Sequence, residues 1–215
     1  MTAEDVARYL RENPVFFEQY ADLLSQIYLP HPHGGRAIPL AERQVLTLRE
    51  RARALETRLA ELLEVGEEND AIGQKMHRLC LAIVRAADLN GLVTTLYYNL
   101  REDFAVPHAA LRLWRGRAST EAPELRGVSE EMKRYAAGLA QPFCGPSGNP
   151  EATAWFGEAA SHVRSVAYMP LRDGSECFGM LALGSEDVTR FYPEMGTVYL
   201  KRLGELAAAA LARFV

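Results

Sequence analysis

The three cysteines, Cys80, Cys144 and Cys177, are the side chains of this sequence with the greatest capacity for covalent chemistry. Redox catalysis needs a nucleophilic thiolate and a second thiol close enough to resolve the oxidised intermediate. The cysteines are odd in number, widely spaced and without a C-x-x-C motif, so the sequence indicates neither a disulfide framework nor a zinc site. We expect reduced thiols, and two interpretations stay open: buried apolar side chains, or a redox pair formed by Cys144 and Cys177.

The histidines are weaker candidates for chemistry. His31 and His33 lie two residues apart in LPHPHGGRAIP, a loop rich in proline and glycine with no cysteine or acidic cluster nearby to complete a metal site. His77, His108 and His162 are separated in sequence from one another and from acidic pairs. The chain also lacks a P-loop and the motifs G-x-S-x-G, H-E-x-x-H and G-x-G-x-x-G. These features predict a protein that is not an enzyme and that holds no metal and no cofactor.

A ligand pocket is predicted from one strand. In HAALRLWR the alternation of residues places Ala110, Arg112 and Trp114 on the same face. An arginine on a sheet that is covered on both sides needs a carboxylate or a ligand to meet its charge, so a structural ion pair and a ligand site are both open. Four further aromatic residues are expected to form the apolar walls of such a pocket or ordinary core, namely Phe143, Trp155, Phe156 and Tyr168.

The elements that position this pocket fall in region 88–215, which is predicted to be α+β. Asp88 and Ser129 are suited to cap the helices LNGLVTTLYYNLREDF and SEEMKRYAAGLA. RSVAYMPL and CFGMLALGS predict two strands, with Asp173-Gly174 as the turn of a hairpin, and a long helix closes the chain. Helices at the ends and strands in the middle predict an antiparallel sheet covered on both faces.

Region 40–87 is predicted to be a coiled-coil helix. Apolar or small residues recur there at alternating spacings of three and four from Val45 to Ile83, which is the pattern of a helix that pairs with a second helix. Gly66 and Gly73 indicate either a locally loose helix or a hinge. A helix of this length is too long for the remaining domain to cover, so we predict a parallel homodimer. The positions expected at its seam are Val45, Leu48, Leu55, Leu59 and Leu62.

Region 1–39 is predicted to be a small helical cap followed by the loop that carries the two histidines. A short amphipathic helix with Tyr9 and Leu10 on its apolar face should end at Asn13-Pro14, and VFFEQYADLLSQI supplies a second helical face.

The composition excludes several classes of protein. The chain has 215 residues, of which 48% are hydrophobic and 24% charged, as expected of a soluble globular protein. A net charge of −4 argues against a general affinity for nucleic acid. No apolar run is long enough to span a membrane, and MTAEDVARYL lacks the basic start and apolar stretch of a signal peptide. We therefore expect a cytoplasmic protein without a membrane or nucleic-acid partner.

Several segments resemble known families. SVAYMPLRDGSECFGMLALGSEDVTRFYPEMGTVYLKRLGELAAAAL resembles the closing half of a GAF domain, with a strand that ends in PL, a hairpin, a G-x-L-x-L-x-S strand and a terminal helix. NPVFFEQYADLL, the LPHPHGG loop, LAERQVLTLRERARALETRLAELL and the GEEN around Asn69 resemble the bacterial family known as domain of unknown function 484, over nearly the whole chain. These resemblances imply a fold and a lineage.

The GAF resemblance implies small-molecule binding between the sheet and the helices inserted between its strands, and dimerisation through the first and last helices. The N-K-F-D-E set of the members that bind cyclic nucleotides is absent, and Cys144 in PFCGPS lacks the pattern of the members that bind bilins. Free methionine sulfoxide reductase, a GAF enzyme, uses clustered cysteines, and Cys144 and Cys177 could converge in such a fold. We therefore expect a dimeric regulatory or sensory protein that binds an unidentified small ligand or a protein partner. The alternatives are a thiol-dependent small-molecule reductase and a ligand-free dimerisation scaffold.

Overall fold

The computed structural model describes residues 2–29, 38–115 and 122–215. His31 and His33, the histidines of the loop, lie outside the described residues. The chain divides into two compact units, Met1–Asn69 and Asp70–Val215. In the described ranges, no helix is both long enough and apolar enough to cross a membrane.

The first unit begins with three short helices and a pair of short strands. These are α1 (Ala3–Glu12), α2 (Val15–Gln19), α3 (Ala21–Gln26), β1 (Tyr28–Leu29) and β2 (Ile38–Pro39). Thr2 and Asp5 form a capping box at the start of α1, each side chain accepting a hydrogen bond from the other's backbone N–H. The single helix predicted after Pro14 is wrong, because Tyr20 leaves the helical conformation (φ −121°, ψ 41°) and its ring stacks on Phe16. No side chain of α1 or α2 is buried.

The long helix predicted for this region is present as α4 (Leu40–Val84), which continues through Gly66 and Gly73. The five residues predicted at the dimer seam are 45–69% exposed: Val45, Leu48, Leu55, Leu59 and Leu62. Further along the helix, Leu79 and Ile83 are buried in the core of the second unit. The apolar pattern of α4 therefore has two roles, since its last turns belong to the core of the chain itself and its earlier positions are left uncovered.

The second unit is a four-stranded antiparallel sheet with helices packed on it, which confirms the predicted fold class. The strands are β3 (His108–Leu113), β4 (Phe143–Pro146), β5 (Ser165–Asp173) and β6 (Glu176–Ser185), in the order β3-β6-β5-β4. The remaining helices are α5 (Leu89–Glu102), α6 (Glu130–Gly138), α7 (Pro150–Ala154) and α8 (Val198–Leu211), with 3-10 turns at Pro123–Leu125 and Gly157–Ser161.

The local signals in the sequence account for where these elements begin and turn. The Asp88 carboxylate accepts a hydrogen bond of 2.7 Å from the N–H of Gly91 at the start of α5. The Ser129 hydroxyl accepts one from the backbone N–H of Met132 at the start of α6. Gly174 has a φ of +58° in the turn between β5 and β6, where a left-handed conformation favours glycine. Both predicted caps and the predicted hairpin are confirmed.

The two faces of the sheet carry separate apolar clusters. The face that we call the α8 face packs against α5, α8 and the end of α4, and its buried sheet residues are Leu111, Leu113, Cys144, Ala167, Met169, Leu171, Phe178, Leu181 and Leu183. The opposite face, which we call the α6 face, packs against α6 and α7, and its sheet residues are Ala110, Val166, Tyr168, Met180 and Ala182. A bulge at Phe178 shifts the register between β5 and β6, because Leu171 pairs with Gly179 whereas Arg172 pairs with Cys177.

Candidate functional site

The residues predicted to form the ligand pocket lie on the α6 face, with Phe156 among the side chains packed on its cluster. Arg112 follows Ala110 on the same side of β3, and Trp114 packs on this cluster directly after the strand. Phe143 pairs with Tyr168 across β4 and β5, and their rings are stacked 5.7 Å apart. Trp155 packs on the same cluster immediately after α7. The fold therefore brings together, on one face of the sheet, residues that are far apart in sequence.

Arg112 is a buried charged residue of this face, and it is only 8% exposed. Its Nη1 donates a hydrogen bond of 2.9 Å to the carbonyl of Leu111, and its guanidinium carbon lies 5.2 Å from the centre of the Trp155 ring. Burial lowers the pKa of Arg112, while Tyr97 and Glu124 favour its charged form. Within the part of the chain that the structure describes, no carboxylate lies within 4.0 Å of its guanidinium nitrogens, so the predicted structural ion pair is not formed there.

The edge of β3 beside Arg112 is covered by a hydrogen-bonded pair that the sequence analysis missed. The backbone N–H of Leu111 donates to the Tyr97 hydroxyl at 2.9 Å, and that hydroxyl donates to Glu124 at 3.2 Å. Burial and the neighbouring Glu124 carboxylate raise the pKa of Tyr97, which keeps the phenol protonated as a donor. These contacts hold the Pro123–Leu125 turn against β3. No local pattern marks them, since Tyr97 and Glu124 are 27 residues apart.

Tyr168 contributes a second buried polar group to the α6 face. Its side chain is 1% exposed, and its hydroxyl has no hydrogen-bond partner among the described residues. Thr153 lies close enough to favour ionisation of Tyr168, but its own hydroxyl donates to the carbonyl of Asn149 at 2.7 Å. Burial raises the pKa of Tyr168 to about 12. A buried hydroxyl is usually hydrogen-bonded in folded proteins, and the Thr153 oxygen keeps acceptor capacity after donating to Asn149.

The two cysteines proposed as a redox pair lie on opposite faces of the sheet. Cys144 pairs with Ala167 and lies in the α8-face cluster, whereas Cys177 pairs with Arg172 and packs on the α6-face cluster. From the strand spacing and register, their Cα atoms are roughly 20 Å apart, far beyond the distance of a disulfide. Of the two interpretations left open by the sequence, this placement contradicts the redox pair formed by Cys144 and Cys177. Burial also raises the pKa of Cys144 to about 11 and raises that of Cys177, which disfavours the reactive thiolates.

The bulge at Phe178 is the physical reason for this separation. Strict alternation back along β6 from Leu181 would place Cys177 on the α8 face, the same side as Cys144. The extra residue in β6 inverts the alternation, so Phe178 packs in the α8-face cluster and Cys177 on the other side.

A metal site has no candidate in the described ranges, where no three histidine, cysteine or acidic side chains are grouped as ligands.

Comparison with known proteins gives one family and a common fold. The model of the family described as "Protein of unknown function, DUF484" matches residues 1–215. No curated protein matches the chain. The structure is similar to the GAF domain of a phosphoenolpyruvate-protein phosphotransferase from Coxiella burnetii, with 13% sequence identity, a TM-score of 0.50, and coverage of 66% of this chain and 93% of that chain. At this identity the likeness shows the fold alone.

Two further solved structures are similar at lower TM-scores. One is free methionine-R-sulfoxide reductase from Neisseria meningitidis in complex with its substrate, at 18% identity, a TM-score of 0.45, and coverage of 66% of this chain and 88% of that chain. The other is the A. aeolicus nlh2 GAF domain in an inactive state, at 9% identity, a TM-score of 0.46, and coverage of 67% of this chain and 98% of that chain.

Proposed function

The chain belongs to the DUF484 family of proteins of unknown function and has a GAF-like fold, and from these premises we propose that it is a dimeric cytoplasmic regulatory protein, not an enzyme, which senses a small anionic metabolite. The ligand binds on the α6 face of the sheet, and binding is relayed through the helical interface between two copies. The observation that carries this proposal is Arg112, a buried cation without a carboxylate partner among the described residues.

The charge of Arg112 supports an anionic ligand. Removing a cation from water costs several kcal/mol unless an opposite charge or good hydrogen bonds replace the water. One carbonyl of Leu111, the face of Trp155 and the charge of Glu124, whose carboxylate makes no ion pair within 4.0 Å among the described residues, meet part of that need. A carboxylate or phosphate accepts two parallel hydrogen bonds from a guanidinium, which is the geometry that arginine recognises best. The remaining donors of Arg112 are suited to this contact.

Tyr168 supports a ligand with a second polar group. Arg112 pairs with Met180, and Met180 with Pro170, so Arg112 and Tyr168 are two strands apart and offset by two residues. Strand spacings place their Cα atoms roughly 12 Å apart, and both side chains extend over the same face. Met180 of β6 lies between them and is fully buried, so a metabolite that binds Arg112 with its anionic group reaches the Tyr168 hydroxyl only when the Met180 side chain moves aside.

Trp155 is suited to act as the movable cover of this site. The centre of the α6 face is filled by Met132, Ala136, Ala152 and Met180, which are at most 2% exposed. Trp155, by contrast, is only partly buried. A ligand can reach Arg112 if the Trp155 ring turns aside or if the ligand stacks on it, and either change alters how the segment after α7 packs.

The uncovered positions of α4 support the dimer. Leu48, Leu55, Leu59 and Leu62 are each more than half exposed, although they follow the a/d spacing of a coiled coil. Exposed apolar residues in such a stripe are typical of a helix that pairs with a second helix. A parallel pair of α4 helices buries them and links two copies of the chain.

The thiol-reductase alternative has no support from the placement of the cysteines, which lie on opposite faces of the sheet. The ligand-free scaffold differs from our proposal in a measurable way, since it requires no compound to bind near Arg112. The two are separated by ligand binding rather than by oligomeric state, because both involve dimerisation through α4.

A thermal-shift screen of small carboxylates, sugar phosphates and nucleotides tests the proposal. A compound that binds the folded chain at a hundredfold excess over its Kd stabilises it by about 2.7 kcal/mol. We expect such a stabiliser, and we expect Arg112→Gln to remove its effect and Trp155→Ala to weaken it, with both variants folded by circular dichroism. Arg101→Gln, on the exposed face of α5, is the matched control and should respond like the wild type.

Binding that survives Arg112→Gln unchanged would show that the ligand does not use this site. The ligand-free scaffold is the correct hypothesis if two results agree. Isothermal titration must detect no binding of these compounds, and native mass spectrometry of freshly purified protein must show the mass of the protein without a bound compound.

A further inference from the structure

An open cavity lies on the α8 face, on the other side of the sheet from Arg112. Its volume is about 440 Å³, and it is lined by the end of α4, the end of α5, β6, the segment after β6 and the start of α8. Ligand pockets in proteins usually occupy a few hundred Å³ or more, and this one has room for about fifteen groups the size of a water molecule or a methylene. All of its lining residues belong to the second unit.

The walls of this cavity are largely apolar. Leu100, Leu183 and Leu203, which are at most 4% exposed, line it with side chains of the core. Met76 and Met195, both only partly buried, complete the apolar lining. Methionine side chains are unbranched and flexible, so walls that contain them adapt readily to an alkyl chain.

Among the described residues, two cations also line the cavity, and no aspartate or glutamate does. Lys75 and Arg190 are partly buried, and neither has a carboxylate within 4.0 Å among the described residues. Arg190 is held in place, since its Nη2 donates to the carbonyl of Phe104 at 2.8 Å and its guanidinium lies 5.7 Å from the centre of the Phe191 ring. A guanidinium fixed in this way keeps other donors for a ligand and loses little conformational freedom on binding.

We propose that this cavity binds an apolar carboxylate of the fatty-acid class, with the alkyl chain among Met76, Leu100 and Leu203 and the carboxylate at Lys75 and Arg190. The charge of the lining selects the ligand, because two cations in a lining without an aspartate or glutamate among the described residues favour an anion and disfavour an apolar cation. The apolar walls exclude small, strongly hydrated anions, since these gain nothing from burying a hydrocarbon surface. This site is independent of the one proposed at Arg112, and each of the two proposals is tested by its own experiment.

Isothermal titration of the full-length, delipidated protein with dodecanoate, below the concentration at which the acid forms micelles, tests this proposal. We expect saturable binding with one dodecanoate per chain, and binding of dodecylammonium that is at least about tenfold weaker, which corresponds to 1.4 kcal/mol. Lys75→Gln and Arg190→Gln should each weaken dodecanoate binding about tenfold. Met76→Trp, which fills the cavity, should abolish it.

Two control variants keep the result specific. Lys201→Gln removes an exposed lysine of α8 and Arg101→Gln an exposed arginine of α5, both outside this cavity, and both variants should bind dodecanoate like the wild type. Circular dichroism checks that every variant is folded. If Met76→Trp does not fold, Lys75→Gln decides whether dodecanoate binds in this cavity.

Dodecanoate binding that is equal in the wild type, Lys75→Gln and Arg190→Gln would overturn the assignment of the carboxylate. Absence of saturable dodecanoate binding would overturn the proposal as a whole. If dodecanoate does not bind and Met76→Trp converts a dimer into a monomer in sedimentation velocity, the cavity is occupied by a second copy of this chain and the fatty-acid proposal is wrong.

Discussion

The guanidinium of Arg112 lies 5.2 Å from the centre of the Trp155 ring, so a buried cation of β3 is covered by an aromatic side chain that follows α7. A cation–π contact that is shielded from water contributes about 2 kcal/mol, which offsets part of the cost of burying the charge. A substitution of either residue therefore removes this contact from the α6 face.

Replacing Arg112 by an apolar residue of similar length should not destabilise the ligand-free protein. We expect Arg112→Met to leave the free energy of unfolding unchanged or to raise it by about 1 kcal/mol, since the substitution keeps most of the packing volume and removes a buried charge. Trp155→Ala should lower it by about 2 kcal/mol through lost packing. Urea titration followed by circular dichroism measures both, with Arg101→Met as the exposed control. A large loss of stability in Arg112→Met would show that the chain itself satisfies the arginine.

Stability should fall at alkaline pH because of the buried Cys144 thiol. Its pKa is raised by burial from 9.0 to about 11, so between these values the unfolded chain has lost a proton that the folded chain keeps. The unfolded state then binds fewer protons, and the free energy of unfolding decreases as the pH rises through this window. Melting curves of the wild type and Cys144→Ala from pH 8 to pH 11 test this, and the variant should lose less stability over the range. Equal losses of stability in the wild type and the variant would show that Cys144 does not contribute to the pH dependence.

The glycine of the G-x-L-x-L-x-S strand should tolerate no side chain. A Cβ at Gly179 would lie 2.8 Å from the carbonyl oxygen of Arg112 and 2.8 Å from a methyl carbon of Leu113, so the neighbouring strand would have to move. Overpacking of this kind costs about 1–3 kcal/mol. Gly179→Ala should accordingly lower the melting temperature clearly, whereas Gly127→Ala, where a Cβ would have no described atom within 4 Å, should not. A Gly179→Ala variant as stable as the wild type would contradict this close approach of β3 and β6.

Local signals in the sequence were sufficient for much of the fold. Asp88, Ser129 and the Asp173-Gly174 turn act within a few residues of their own position, so their roles could be predicted without knowing any tertiary contact. The break at Tyr20 could not, because the apolar spacing of the segment continues across it and only the backbone conformation of that residue ends the helix.

Part of the candidate site was also predictable from a local pattern in the sequence. Alternation along β3 placed Arg112 on one face, and that required only the strand period. The separation of Cys144 from Cys177 depends on the bulge at Phe178 and on which strands pair, and neither is encoded in a local pattern. The contact between Tyr97 and Glu124 was likewise invisible, since it joins α5 to a turn beyond β3.

Disruption of the exposed stripe of α4 should separate the dimer without unfolding the second unit. Leu55 and Leu59 are 65% and 57% exposed in the single chain, so aspartates at these positions are tolerated in a monomer but place unpaired charges in the seam of a parallel pair. We expect the wild type to sediment as a dimer at micromolar concentration and the Leu55→Asp, Leu59→Asp double variant as a monomer. The sheet has its own buried core, so its melting transition should persist in that variant.

Ala60→Asp is the matched control for this experiment, because position 60 is exposed on the same helix but lies off the a/d seam. It adds one aspartate to α4 and should leave the dimer intact. A wild type that is already monomeric at micromolar concentration would refute the parallel coiled coil directly. A double variant that remains dimeric would instead place the interface elsewhere on the chain, because two charges in an apolar seam cost more than such a helix pair can offset.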